Sequence, residues 1–195
     1  KLGYDKQFTS DLRVRPTASM YNNAKATSNV LYNGDRAGSH YFDVLENTTS
    51  SETSNAWSGN LQPGFSNRVA SYVVNPFVKY GPVEFFGNIE TSTGGSAAEA
   101  TDRTWRQQAG DVVYRFLAED KAYVAFRYNT AEGQLVGTPS DVNIVRTQYA
   151  FGFFLTKNIL AKIEYVNQDY RKFLATDIRN GGNFKGFMLE GAVAF

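Results

Sequence analysis

Ionisable side chains recur along this chain at even spacings: Arg13 and Arg15, Glu84 and Glu90, Asp111 and Arg115, Lys162 and Glu164, with Lys79, Arg127, Arg146 and Glu190 in similar settings. In an extended strand residues two apart project from the same face, so these side chains would add to one ionic surface. With Asp11 included, that surface holds seven bases (Arg13, Arg15, Lys79, Arg115, Arg127, Arg146, Lys162) and six acids, a balance that favours neither cations nor anions. Two arrangements use it. Lining the lumen of a wide barrel, the charges form a hydrated wall that orients water and sets a transverse field. Inside a small closed barrel they must pair as a packed ionic core. Both stay open at this point.

Catalytic constellations are sparse. The one histidine, His40, lies beside Ser39 and Asp43, the residue types of a hydrolytic triad. Triads are assembled in space, and a triplet of common residues in one polar loop reads better as solvated loop. Glu84 and Glu90 read as strand charges and not as an acid–base pair. No phosphate-binding glycine motif, metal-ligand cluster or cofactor fingerprint is present, so neither a cofactor nor an enzyme activity is expected. Cysteine is absent, which excludes disulfides, thiolate metal sites and cysteine nucleophiles.

The elements that must carry these charges follow from composition and periodicity. Lys and Arg number 20 against 19 acids, a net charge of +1 that gives no general attraction for nucleic acid. Tyr (12), Phe (15) and Gly (17) are abundant although the chain is polar on average. The best apolar run, 149–155, stops at Thr156 and Lys157, far short of the ~20 residues a membrane-spanning helix needs. If the chain enters a bilayer, it does so as strands. The first residues, Lys1-Leu2-Gly3-Tyr4-Asp5, are no signal region, so any secretory peptide is removed or lies upstream.

Period-two segments of about ten residues are expected at 8–21, 68–80, 83–91, 105–117, 122–130, 144–155, 159–166 and 184–195, roughly eight strands. Connections alternate between short turns, such as Gly81-Pro82 and Thr156-Lys157-Asn158, and long polar loops, of which 23–66 is the longest. Each strand has one oily and one polar face: Val124, Phe126 and Tyr128 oppose Arg127 and Asn129, and Ile159, Ala161, Ile163 and Tyr165 oppose Lys162 and Glu164. Pro16 and Pro76 fall inside strands, where each removes a ladder donor and predicts a bulge. This pattern predicts an all-β chain, 1–195, forming a single transmembrane antiparallel up-and-down β-barrel domain or part of a larger barrel. Loop 23–66 would be extracellular. A water-soluble barrel would turn its oily face inward instead.

The last strand, with Phe187, Leu189, Val193 and Phe195 on one side, is similar to the C-terminal assembly signal of bacterial outer-membrane barrels, which the barrel-assembly machinery recognises. The segments Asn75-Pro76-Phe77-Val78-Lys79-Tyr80, Gly110-Asp111-Val112-Val113-Tyr114-Arg115-Phe116 after Thr104-Trp105, Ala161-Lys162-Ile163-Glu164-Tyr165-Val166-Asn167-Gln168 and Asp177-Ile178-Arg179-Asn180-Gly181-Gly182 before Phe184 resemble porin-like outer-membrane proteins of the Bacteroidetes. That family's members are larger, and the match is to a C-terminal half. The resemblance implies an outer-membrane location, contact with lipid and lipopolysaccharide, and passive diffusion of small hydrophilic solutes. The alternative it leaves is a non-conducting barrel subunit whose loops bind another outer-membrane protein. A barrel enzyme acting at the surface is a third reading.

Overall fold

The computed structural model describes residues 1–29 and 61–194. Ser39, His40, Asp43, Phe195 and most of the expected loop 23–66 lie outside the described residues. The described residues are all-β, with twelve strands among them: β1 (Leu2–Gly3), β2 (Lys6–Gln7), β3 (Leu12–Val14), β4 (Thr17–Asn23), β5 (Arg68–Asn75), β6 (Phe77–Tyr80), β7 (Val83–Gly95), β8 (Arg103–Phe116), β9 (Ala122–Gln134), β10 (Asp141–Thr156), β11 (Ile159–Arg171) and β12 (Asn183–Val193). All twelve belong to one antiparallel sheet. β1 with β2, β3 with β4 and β5 with β6 each make one interrupted pass, so the sheet is a meander of nine passes. The first pass, over Leu2–Gln7, has too little alternation to be read from sequence.

Several strands run further than period-two patterning implied. β7 continues through Ser92–Gly95, expected as loop, and β11 continues through Gln168 and Tyr170 to Arg171. Short connections (8–11, 81–82, 117–121, 157–158) gather at one end of the sheet and the others at the opposite end. The contrast in length is less sharp than predicted, because 96–102 and 135–140 are modest loops. Among the described residues no ladder joins β12 to β1 or β2, so the sheet is open; of the expected barrel, whole or part of a larger one, the structure shows the antiparallel meander and no closure.

The predicted bulges are absent. Val14 pairs with Val78 and Thr17 with Asn75, so both passes advance three residues across the proline rung without a slip. Arg15 and Phe77 exchange backbone bonds of 2.8 and 3.2 Å, which places Pro16 opposite Pro76. At such a position both ring nitrogens point away from each other, toward the next strands. Pro76 therefore cannot donate to the Gly87 carbonyl, and the Asn75 side-chain amide donates to it instead at 3.3 Å. Gly87 still donates its N–H to the Pro76 carbonyl at 2.8 Å. A Cβ at Gly87 would stand 2.8 Å from the Pro76 ring, so only glycine fits beside this proline.

Unbroken registers sort the side chains. On one face a single rung reads Tyr80, Val83, Tyr114, Val124, Phe151, Ile163, Leu189 across seven passes. The other face is polar over the turn half of the sheet and apolar at the loop end. There Val69, Trp105, Val142, Ile144 and Tyr170 pack with Phe65 and Phe173, all buried. Phe65 belongs to the 61–67 segment leading into β5, which folds back over this face. Large rings cover glycines on it: Trp105 fills the space above Gly133, and the Tyr123 ring occupies the place of a Cβ on Gly152, its partner across the ladder. We predict that Gly152→Val destabilises the protein by about 1–3 kcal/mol through overpacking. Denaturant titration checks this, and an unchanged midpoint would show that Tyr123 swings away freely.

Candidate functional site

The registers place Arg13, Arg15, Lys79, Glu84, Glu90, Asp111, Arg115, Arg127, Arg146, Lys162, Glu164 and Glu190 on one face, opposite the exposed apolar rung. Asp11 does not join them. It sits in the bend before β3, where its carbonyl accepts the Gly81 N–H at 3.0 Å.

The charges on this face form cross-strand clusters. Glu84 of β7 accepts from Lys79 of β6 at 3.2 Å and from Arg115 of β8 at 2.9 and 3.4 Å. The Arg115 guanidinium also lies 5.7 Å from the centre of the Tyr123 ring. One strand further, Arg127 grips both oxygens of Asp111 as a fork, a planar match that lysine cannot provide. Lys162 of β11 bridges Glu164 at 3.2 Å and Glu190 of β12 at 2.7 Å, and Gln148 of β10 donates to Glu164. Toward the loop end Arg146 donates to the Gln168 oxygen at 2.6 Å, and Glu90 accepts from the hydroxyls of Ser92 at 2.6 Å and Ser71 at 3.3 Å. At the other margin Arg13 binds Asp5 of the first pass and Arg15 lies over the Phe77 ring. Opposite charges on adjacent strands are the sheet's own means of holding register.

This face is concave. Glu90 on β7 and Gln168 on β11 are four strand spacings apart, about 19 Å on a flat sheet. Both nevertheless line one cavity of about 260 Å³, which requires the sheet to curl around it. The opposite, convex face carries the exposed apolar side chains, with Phe126 37%, Phe151 42% and Leu189 79% exposed.

Sequence reasoning missed the clasp at the loop end. Glu99 accepts from the Arg103 guanidinium and from the Ser96 N–H at 2.7 Å. Buried Arg103 also donates to the Gln134 carbonyl at 2.7 Å and lies 5.3 Å from the Phe65 ring centre. Trp105 donates its indole N–H to the same carbonyl at 3.0 Å. The clasp thus ties loop 96–102, the end of β9 and the 61–67 segment together. The spacing of Glu99 and Arg103 was the available signal, but a strand start at 105 left both in a loop. Gln168 was missed for a similar reason, the expected strand stopping at 166.

Among the described residues no group of three or more histidines and acids is placed to hold a metal ion, and no helix is long and apolar enough to cross a membrane. No family model matches the chain, and comparison with curated proteins returns no match.

Two predictions test the charge pairs. Arg103 and the Ser96 N–H hold the Glu99 carboxyl at about 2, against an ordinary 4.5. Because the folded value is depressed, this stabilisation is complete above about 4.5 and is lost as pH falls from there through about 2. Glu99→Gln should therefore cost about 2 kcal/mol at neutral pH, allowing for partial solvent screening, and flatten the stability profile across that window. Chemical denaturation between pH 7 and 2 reads both effects. Lys162→Met leaves two carboxylates facing each other, one of them nearly buried, and should cost about 3 kcal/mol. Adding Glu164→Gln and Glu190→Gln should restore most of that loss; a neutral Lys162→Met would show the cluster to be fully hydrated.

Proposed function

We propose that this chain forms wall of an outer-membrane β-barrel pore through which small hydrophilic solutes diffuse. The observation that carries the reading is the arrangement of exposed apolar side chains on the convex face. They form a band that crosses the hydrogen-bonded rungs diagonally. The rung starting at Tyr72 continues through Thr91, Arg106, Glu132, Asn143 and Arg171, so it is apolar on β5 and polar beyond. On β12 the band instead reaches down to Val193, two same-face positions past Leu189. A rung is perpendicular to its strands, so in a barrel whose strands tilt by about 40° a horizontal apolar belt must cut across the rungs in this way. From Tyr72 to Tyr80 the belt covers about 27 Å of strand at ~3.4 Å per residue, or about 21 Å of height after tilt, near the ~25 Å of outer-membrane barrels. Tyr72, Tyr128, Tyr149 and Tyr165 mark its upper margin and Tyr80 and Phe116 its lower one, as aromatic girdles do. A water-soluble protein rarely leaves so large a contiguous apolar surface uncovered.

The concave ionic face then meets water, and the 61–67 segment with Phe65 narrows the mouth at the loop end. Lipid and lipopolysaccharide contact the convex face, and the barrel-assembly machinery reads the C-terminal strand. Strand direction favours the subunit aspect of this reading. The first and ninth passes both run from the loop end to the turn end, since eight reversals separate them. Antiparallel closure therefore takes an odd number of further strands in alternating direction, those beside the two edges running the other way. An unpaired edge in hydrocarbon is untenable, so the inserted form must acquire them.

Reconstitution tests the reading. The protein should need detergent to stay dispersed, and brominated acyl chains should quench a tryptophan placed at Phe126 but not one placed at Arg127. Planar bilayers should then show stable open steps. A protein that stays monomeric without detergent sinks the membrane assignment, and an inserted but silent protein sinks the pore in favour of a scaffold.

A further inference from the structure

The cavity on the concave face is set between two kinds of wall. β8 and β9 line it with Trp105, Arg106, Gln107, Asn129 and Ala131, and the folded-back segment adds Leu61 and Pro63. Glu90 lines one flank from β7, and Arg146 and Gln168 line the other from β10 and β11. At about 260 Å³ it suits a solute of the size of an amino acid or dipeptide better than a larger ligand.

The Arg146–Gln168 flank is incomplete as it stands. The two residues are register partners, and Arg146 already donates one N–H to the Gln168 oxygen at 2.6 Å. Arg146 Nη2 and Gln168 Nε2 are both buried and have no acceptor, while Gln168 as a whole is 1% exposed. Buried donors without acceptors are rare in native proteins, and two side by side mark a place where acceptor oxygens belong. A guanidinium next to an amide offers the paired, charge-assisted donors that a carboxylate takes up. Across the cavity the Glu90 carboxylate, braced by the hydroxyls of Ser71 and Ser92, supplies the opposite charge. A dianion would be repelled by Glu90 and a simple cation by Arg146 and Arg106.

We propose that this cavity binds a small zwitterion of the amino acid or dipeptide class, its carboxylate on Arg146 and Gln168 and its ammonium toward Glu90. The inference deepens the pore reading by naming a solute, and rests on the concave face being open to water.

Binding is measured on the full chain in detergent micelles. Trp105 lines the cavity and is one of two tryptophans, so Trp57→Phe leaves it as the sole tryptophan, read by excitation at wavelengths where tyrosine does not absorb. Glycylglycine should change its emission saturably, with acetate and methylammonium each at least tenfold weaker. Arg146→Gln should weaken glycylglycine by tenfold or more, the scale of a lost charge-assisted hydrogen bond. Gln168→Leu, which removes no charge, should weaken it less and serves if the first variant does not fold. No saturable change, equal binding of acetate and glycylglycine, or indifference to the substitutions overturns the proposal. Conductance is read separately: a silent protein that binds glycylglycine loses the pore and keeps the site, whereas a conducting protein that binds none loses only the site.

Discussion

Backbone hydrogen bonding between antiparallel neighbours fixes which way each side chain points, and a slip of one residue anywhere would exchange the two faces of a strand. In this sheet the registers from β5 to β12 carry no such slip before the turn between β10 and β11. That continuity lets Glu84 meet Arg115, Asp111 meet Arg127 and Lys162 meet Glu190 across consecutive strands. The same continuity assembles the oily face. Neither surface exists in any single strand; both are products of pairing.

The two surfaces place opposite demands on their surroundings. Charged groups half-removed from water need partners, and the concave face supplies them through neighbouring strands, which keeps the cost of burial low. Among the described residues nothing covers the convex face, and its aromatic and branched side chains remain exposed. Between them lies a third environment, the apolar cluster around Phe65 at the loop end. There the chain folds back on its own concave side and builds the only tightly packed core among the described residues.

Much of this was legible because β-strands have an integral period. Alternation at 122–130 and 159–166 announced the faces of β9 and β11, and the twelve named charges lie on a common side as parity dictates. What escaped was whatever does not alternate. The run at Ser92–Gly95 resembles loop because its inward positions are small, and they are small because Phe65 and the Arg68 backbone lie against Gly94. The first pass pairs over too few residues to leave a pattern. The absence of closure cannot be read from local sequence at all, since it concerns partners that no strand encodes by itself. The proline bulges were a misreading of a different kind: each ring was weighed alone, whereas the two stand opposite one another.

That proline rung also gives the sheet a mechanical character. Pro16 and Pro76 lack the donors that tie other positions to their outer neighbours, and the carbonyl of Gly87 is held by an amide side chain in place of the backbone. Next along the same row come Gly87 and Gly110, register partners without side chains of their own, Gly87 lying against the Pro76 and Phe85 rings and Gly110 against Phe85. Stiffness in a sheet comes from its hydrogen-bond lattice and from bulk on its surface, and this row has less of both. It is therefore a crease in the lattice, a line across four adjoining passes where fewer backbone bonds tie neighbour to neighbour, while the ion pairs nearer the turns add cross-links that this row lacks.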